Sequence, residues 1–202
     1  MISLKISADE ANFLCLQRTQ YLSILSEAYT REMQALYLNI APHLPPTIHR
    51  SLDVGAGLAG IDAFLSYRSG HTSEIHLLDK DGIEDKPKVG WHNTVDEFGA
   101  YNSRAGARRV LLRARVPVKN IFFHTPEDFP TIQFDLVVSF LSWGFHYPAS
   151  TYARQVFNVL VPGGKLILDL RKGQDTACLS ELFGSSGKIF EGQKHERRIF
   201  TK

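Results

Sequence analysis

Ser51-Leu52-Asp53-Val54-Gly55-Ala56-Gly57-Leu58-Ala59-Gly60 is the stretch on which the reading of this chain turns. Leu52 and Val54 suit a short buried strand, the glycines force a tight turn, and Ile61-Asp62-Ala63-Phe64-Leu65 opens a helix. Glycine alone lets backbone come within contact distance of a ligand while holding turn dihedrals. A strand, a glycine turn and a helix N-terminus together form a cradle for a charged ligand. Gly55, Gly57 and Gly60 satisfy the dinucleotide spacing G-x-G-x-x-G, a weak signal by itself. Asp53 tilts the reading. A carboxylate just before the first glycine repels a pyrophosphate but suits a ligand that carries an ammonium group. A glycine-rich strand-to-helix turn with no ligand is the competing interpretation.

Outward from this turn, 202 residues suffice for one domain, 1–202, with a full sheet covered by helices on both faces. Hydrophobic content of 44% and charged content of 22% are ordinary for a globular protein, and a formal charge of +2 calls for neither nucleic acid nor a membrane surface. The two cysteines, Cys15 and Cys178, show no metal-ligand spacing, which fits a reduced, cytoplasmic setting. No secretory leader and no membrane-spanning apolar run is recognisable. The sequence carries no indication of oligomeric state.

Residues 1–46 read as a helical N-terminal extension and 47–202 as an α/β core. Ser7-Ala8-Asp9-Glu10 has the form of a capping box, and Phe13, Leu16, Leu22, Leu25, Tyr29, Met33, Leu36, Tyr37 and Ile40 recur at helical spacing. Pro42 and Pro45-Pro46 stop that helix, which either pads the sheet or closes over the ligand. Five strands follow at Leu52–Val54, Glu74–Asp79, Asn120–His124, Phe134–Phe140 and Leu166–Leu170, alternating with helices. Gly187–Glu191 and Glu196–Phe200 close the chain as a hairpin, giving a doubly wound, Rossmann-like seven-stranded sheet with C-terminal antiparallel pairing. Arg104, Arg108, Arg109, Arg113 and Arg115 fall on one predicted helix. They divide between two sides of it, as on a solvated helix rather than a nucleic-acid stripe.

Asp79 ends the second strand about twenty residues past the glycines, where an acid grips ribose hydroxyls. Trp91, Tyr101 and Asn102 belong to two clusters of aromatic and hydrogen-bonding residues that could wall a substrate pocket or cap the sheet. The run Ser142-Trp143-Gly144-Phe145-His146-Tyr147-Pro148 follows the fourth strand, where doubly wound sheets place their ligands.

The stretch 51–60 resembles the first motif of class I S-adenosylmethionine (SAM) methyltransferases, and the helix-Pro162-Gly163-Gly164-strand run is a second resemblance. Together they cover about residues 50 to 202. Phe98–Ser103, Ser142–Pro148 and Asp169–Gly173 look more narrowly like bacterial sugar O-methyltransferases. The resemblance implies SAM as cofactor, held by Asp53, Gly55, Ala56, Gly57, Gly60, Asp79, Lys80, Thr125, Glu127 and Ser139. Thr125 stands where the family usually places the acid that reads adenine, and Glu127 follows slightly later. A hydroxyl acceptor benefits from a base, for which His146 is the candidate and His92 the reserve. Trp143 and Tyr147 could frame the acceptor. Ser139 in place of an Asp argues against a required metal. The expectation is O-methylation of a small polar acceptor such as a sugar or glycosylated metabolite. A SAM-binding module without turnover, an RNA-directed methyltransferase and an NAD-dependent oxidoreductase are the alternatives.

Overall fold

The computed structural model describes residues 2–7, 10, 26–80, 82–83 and 101–202, with only the backbone described at 82–83 and 101–102. Its centre is β1 (Arg50–Val54), whose Leu52 and Val54 pack against one helical layer while Asp53 faces the other. β2 (Glu74–Leu78) and β6 (Phe134–Ser139) flank it in parallel register, Asp53 lying between Leu77 and Val138. A central parallel strand is covered on both sides, which is why β6 is apolar almost throughout.

The main sheet runs β5-β2-β1-β6-β8-β10-β9, with β5 at Ile121–His124, β8 at Leu160–Arg171, β9 at Gly187–Glu191 and β10 at His195–Thr201. β10 is antiparallel to both β8 and β9, the terminal hairpin expected from the sequence. Gly82–Ile83 and Tyr101–Asn102, β3 and β4, form a separate two-stranded pair.

One face is covered by α1 (Ser26–Ile40), α2 (Gly60–Arg68) and α3 (Arg104–Arg113), whose apolar residues join Ile75, Leu77, Leu136, Val138 and Ile167 of the sheet. The opposite face is covered by α4 (Ala153–Val159) and α5 (Ala177–Phe183), packed on Leu52, Phe134, Val137, Leu166 and Leu168. No helix among the described residues is long and apolar enough to cross a membrane.

The reciprocal capping box forms. Ser7 N–H donates to Glu10 at 2.8 Å and Glu10 N–H donates to the Ser7 hydroxyl at 3.3 Å. Glu10 is also the anchor of the N-terminal segment, because Arg109 and Arg113 reach its buried carboxylate at 2.7 and 2.6 Å. Leu4 and Ile6 dock beside it through the hydroxyls of Thr30 and Ser26 on α1.

Three local expectations need correction. α3 ends at Arg113, and Arg115 lies beyond it at φ +67°, so the helix carries four of the five arginines placed on it. Residues 142–147, read as an extension beyond the fourth strand, form a strand of their own, β7 (Ser142–Tyr147). β8 begins at Leu160 and carries Pro162-Gly163-Gly164 within it, its pairing with β6 shifting register between Phe134 and Leu136. Gly163 N–H and Gly164 C=O bond Lys202 across this irregularity, which keeps the strand paired through the glycines.

Candidate cofactor-binding site

The glycine turn leaves β1 with Gly55 at φ +82° and Gly57 at φ +55°, and its Ala59, at φ +56°, caps α2. Gly55 N–H donates to Leu78 C=O at 2.7 Å, which bends the turn over the end of β2. A Cβ on Gly55 would lie 1.8 Å from the Ser142 hydroxyl oxygen, so this position has no room for a side chain. Gly60 is equally constrained, its absent Cβ space being filled by the Tyr29 hydroxyl and Met33 of α1. Asp53, Gly55, Ala56, Gly57 and Gly60 meet here around a cavity of about 70 Å³ that Tyr29, Met33 and Phe140 also line. This volume is far below the roughly 300 Å³ or more of a whole small-molecule site.

Asp53 is 3% exposed, and its Oδ1 has no hydrogen-bond partner among the described residues. Burial pushes its carboxyl well above the ordinary range, with further repulsion from Asp62 and Asp79. A buried acid without a partner is an anomaly in a folded protein, and a cationic ligand group resolves it. Asp79 sits across the turn, where its Oδ2 accepts the Gly57 N–H at 3.0 Å. The strand-end acid and the glycine turn are thus joined directly. Lys80 is exposed next to it and acts electrostatically on Glu127.

Beyond Asp79 lies the turn after β5. Asp79 N–H donates to His124 C=O at 3.3 Å, and Asp128 N–H donates to the Thr125 hydroxyl at 3.1 Å, shaping residues 125–128. Hydrogen bonds from its own backbone and from Thr125 lower the pKa of Glu127, which keeps it ionised. Tyr152, which the sequence did not single out, joins this rim. Its phenol is raised by burial and by the neighbouring Tyr147, Asp79 and Glu127, and its ring stacks on Phe129. Only its position after Pro148 placed it near the strand ends, and a lone Tyr at a helix start carries no signal.

The remaining candidates divide. Ser139 is fully buried and faces inward, its hydroxyl donating to Val54 C=O at 2.7 Å and accepting Trp143 N–H at 3.0 Å. It holds β1, β6 and β7 together. Trp143 is also fully buried, its indole N–H donating to Ala149 C=O at 2.9 Å, so it packs in the core instead of lining an acceptor pocket. His146 is half-buried on β7, and burial, then the Arg171 guanidinium, lowers its pKa, so the imidazole is neutral at physiological pH. Tyr147 is half-buried beside it, its carbonyl accepting from the Gln174 amide at 3.2 Å. Tyr101 and Asn102 lie on β4 by their backbone. Trp91 and His92 lie outside the described residues, as does Cys15; Cys178 is a free thiol. Among the described residues no group of three or more His, Cys, Asp or Glu side chains is placed to hold a metal ion.

No protein-family model matches this chain, and no curated protein matches it. Solved structures do. A T. thermophilus 16S rRNA methyltransferase, solved in complex with AdoMet and guanosine, superposes with a TM-score of 0.57 at 15% identity, over 86% of this chain and 43% of that one. A Pyrococcus furiosus methyltransferase gives 0.58 at 15% identity over 96% and 98% of the two chains. An O-methyltransferase family protein of Burkholderia thailandensis gives 0.55 at 14% identity over 87% and 57%. The chain thus spans less than half the length of the rRNA enzyme and nearly all of the Pyrococcus one. It has the fold of these methyltransferases, a seven-stranded Rossmann-like α/β sheet closed by C-terminal antiparallel strands.

Proposed function

We propose that this protein is a SAM-dependent methyltransferase acting on a hydroxyl of a small polar acceptor, such as a sugar or glycosylated metabolite. The observation that carries the reading is the buried, unpartnered Asp53 oxygen beside a glycine turn with no space for side chains. Asp53 would take the cofactor's ammonium group, the 55–60 turn would lie against its amino-acid part, and Asp79 would accept from the ribose hydroxyls. Thr125 and Glu127, on the turn next to Asp79, stand at the adenine end. Bound SAM supplies an activated methyl group whose sulfonium is its own leaving group. The protein's part is then to align the acceptor oxygen, exclude water and remove one proton.

His146 is the base in this reading. A neutral, half-buried imidazole at the edge beyond β6 can accept the acceptor's hydroxyl proton as its oxygen bonds the methyl carbon. The polar groups near it, Arg171 and Tyr147, whose carbonyl accepts from Gln174, suit a hydroxylated acceptor better than an apolar one. An RNA acceptor has less support. Arg109 and Arg113 are committed to Glu10, and Arg108 lies over the Phe123 ring, so much of the basic character of α3 is spent internally.

Calorimetric titration with S-adenosylhomocysteine, alongside NADH, tests the cofactor. S-adenosylhomocysteine alone should bind, and Asp53→Ala should weaken it strongly without unfolding the protein. NADH binding alone would refute the reading. With an accepted hydroxyl substrate, His146→Ala should lower turnover by roughly 10²–10⁴ with little change in cofactor affinity. Near-normal turnover would return His146 to a packing role. Strongly salt-dependent RNA affinity would favour the RNA-directed alternative.

A further inference from the structure

Asp62 has no part in the site as described, yet it is the most anomalous residue near it. It lies in the first turn of α2, fully buried, and neither of its carboxyl oxygens makes a well-formed hydrogen bond among the described residues, its own backbone N–H being the one donor that acts on it. Its neighbour is Asp53, the two side chains lying within hydrogen-bond reach of each other. A carboxylate only accepts, so a bond between two of them requires a shared proton.

Among the described residues nothing else neutralises them. From β1 and α2 come the two acids themselves, and from the end of β2 comes Asp79, a third negative charge. From α1 come the Tyr29 phenol and Met33, and after β6 comes Phe140. The guanidinium of Arg197 lies 4.8 Å from the Phe140 ring centroid, but Asp169 holds it with two hydrogen bonds. No Lys, Arg or His among the described residues forms an ion pair with Asp53 or Asp62. Two buried carboxyls in contact cannot both ionise without a cation.

We propose that Asp62 is a positioning residue acting through Asp53: the two carboxyls form one proton-sharing unit, and the ammonium group of the cofactor replaces one of its protons. The inference rests on the cofactor reading above and adds to it a proton stoichiometry. In mildly acidic solution the unit holds two protons. As the ammonium enters, one of its N–H groups bonds Asp53 Oδ1 and one carboxyl O–H bond breaks, its proton leaving to the buffer. The second proton stays between the carboxyls, so a net charge of minus one meets a charge of plus one. The burial that forces protons onto the pair thereby selects for a cation over a neutral group.

The test is calorimetric titration of the intact protein with S-adenosylhomocysteine in buffers of different ionisation enthalpy, which counts protons released. The control ligand is 5′-methylthioadenosine, which keeps the nucleoside but lacks the ammonium. Wild type should release close to one proton on binding S-adenosylhomocysteine in mildly acidic buffer. Affinity should rise about tenfold per pH unit there and level off above neutrality. Methylthioadenosine should bind with no proton released. Asp62→Asn keeps the shape and offers Asp53 a permanent donor, so its tenfold rise should shrink to less than about twofold. Release of a proton with both ligands, or with neither, overturns the proposal while leaving the cofactor reading in place. Failure of wild type to bind either ligand overturns both. The wild-type proton count stands whether or not the variant folds.

Discussion

Raising the pH from the acidic range towards neutrality should destabilise the fold through the Asp53–Asp62 pair, and the structure sets the rough size of the effect. Burial raises the Asp62 carboxyl from its ordinary 3.8 to about 7. A carboxyl whose folded-state pKa is raised contributes stability that is fully present below the unfolded value and lost as pH rises through the folded one. The window therefore runs from about pH 4 to about pH 7, with a loss of roughly 1.4 kcal/mol per pH unit and about 4 kcal/mol in all. That is a large fraction of the roughly 5–15 kcal/mol by which a domain is normally stable. Urea unfolding at constant ionic strength across this range measures it. Asp62→Asn mimics the protonated acid, so it should match wild type at the acidic end and exceed it by about 4 kcal/mol above neutrality. Glu10, held low by the Ser7 N–H and by Arg109 and Arg113, and Glu191, held low by Lys188 and Lys172, push in the opposite direction in both proteins and cancel in the difference. Parallel stability profiles for wild type and Asp62→Asn would refute the reasoning, because they would mean that Asp62 ionises freely.

Gly60→Ala should unseat α1, since the new Cβ would lie 2.2 Å from the Tyr29 hydroxyl and 2.6 Å from Met33 Cγ. A loss of about 1–3 kcal/mol in urea unfolding is expected, partly recovered by adding Tyr29→Ala. Asp169→Asn leaves the Arg197 guanidinium, 8% exposed and also donating to Asn39 at 2.8 Å, without its counter-charge. The expected cost is about 3–5 kcal/mol, read in the same assay, and a loss below about 1 kcal/mol would show that solvent reaches Arg197. Glu10→Ala removes the anchor of the N-terminal segment. Hydrogen exchange at the Leu4 and Ile6 amides, bonded to Thr30 and Ser26, should quicken about tenfold while the amides of β1 and β6 hold their rates.

The sheet was legible in the sequence because its strands alternate with helices and each run is bounded by Gly, Pro or a polar turn. Phe134–Ser139 came out within a residue, since a continuous apolar run admits few other placements. The hairpin at Gly187–Glu191 and His195–Thr201 was equally readable from alternation and its intervening polar turn. β7 was not. Its Ser142-Trp143-Gly144-Phe145-His146-Tyr147 looks like a ligand loop by residue type, and the features that make it a strand are distant in sequence. Gly144, at φ +84°, lets the chain lie close to the backbone of Asp169, and Ser139 fixes Trp143 from the preceding strand. The same long-range bond takes Ser139 out of the solvent-facing set, although its position at a strand end was correctly read.

Legibility at the site follows one rule. Positions fixed by backbone requirements, Gly55 and Gly57 above all, announce themselves by residue type, because no other residue meets the dihedral and the space. Asp53 and Asp79 follow from their spacing to those glycines. Asp62 did not announce itself. An acid in the first turn of a helix is ordinarily a solvated complement to the helix dipole, and the sequence Gly-Ile-Asp-Ala-Phe-Leu reads that way. In the fold, α1 packs Tyr29 and Met33 over Gly60, two residues from this carboxyl, which is out of water. The N-terminal helix therefore both pads the sheet and covers the turn beneath it. Helical periodicity predicted the first of these roles and could not have predicted the second, because the glycine it covers lies on another element.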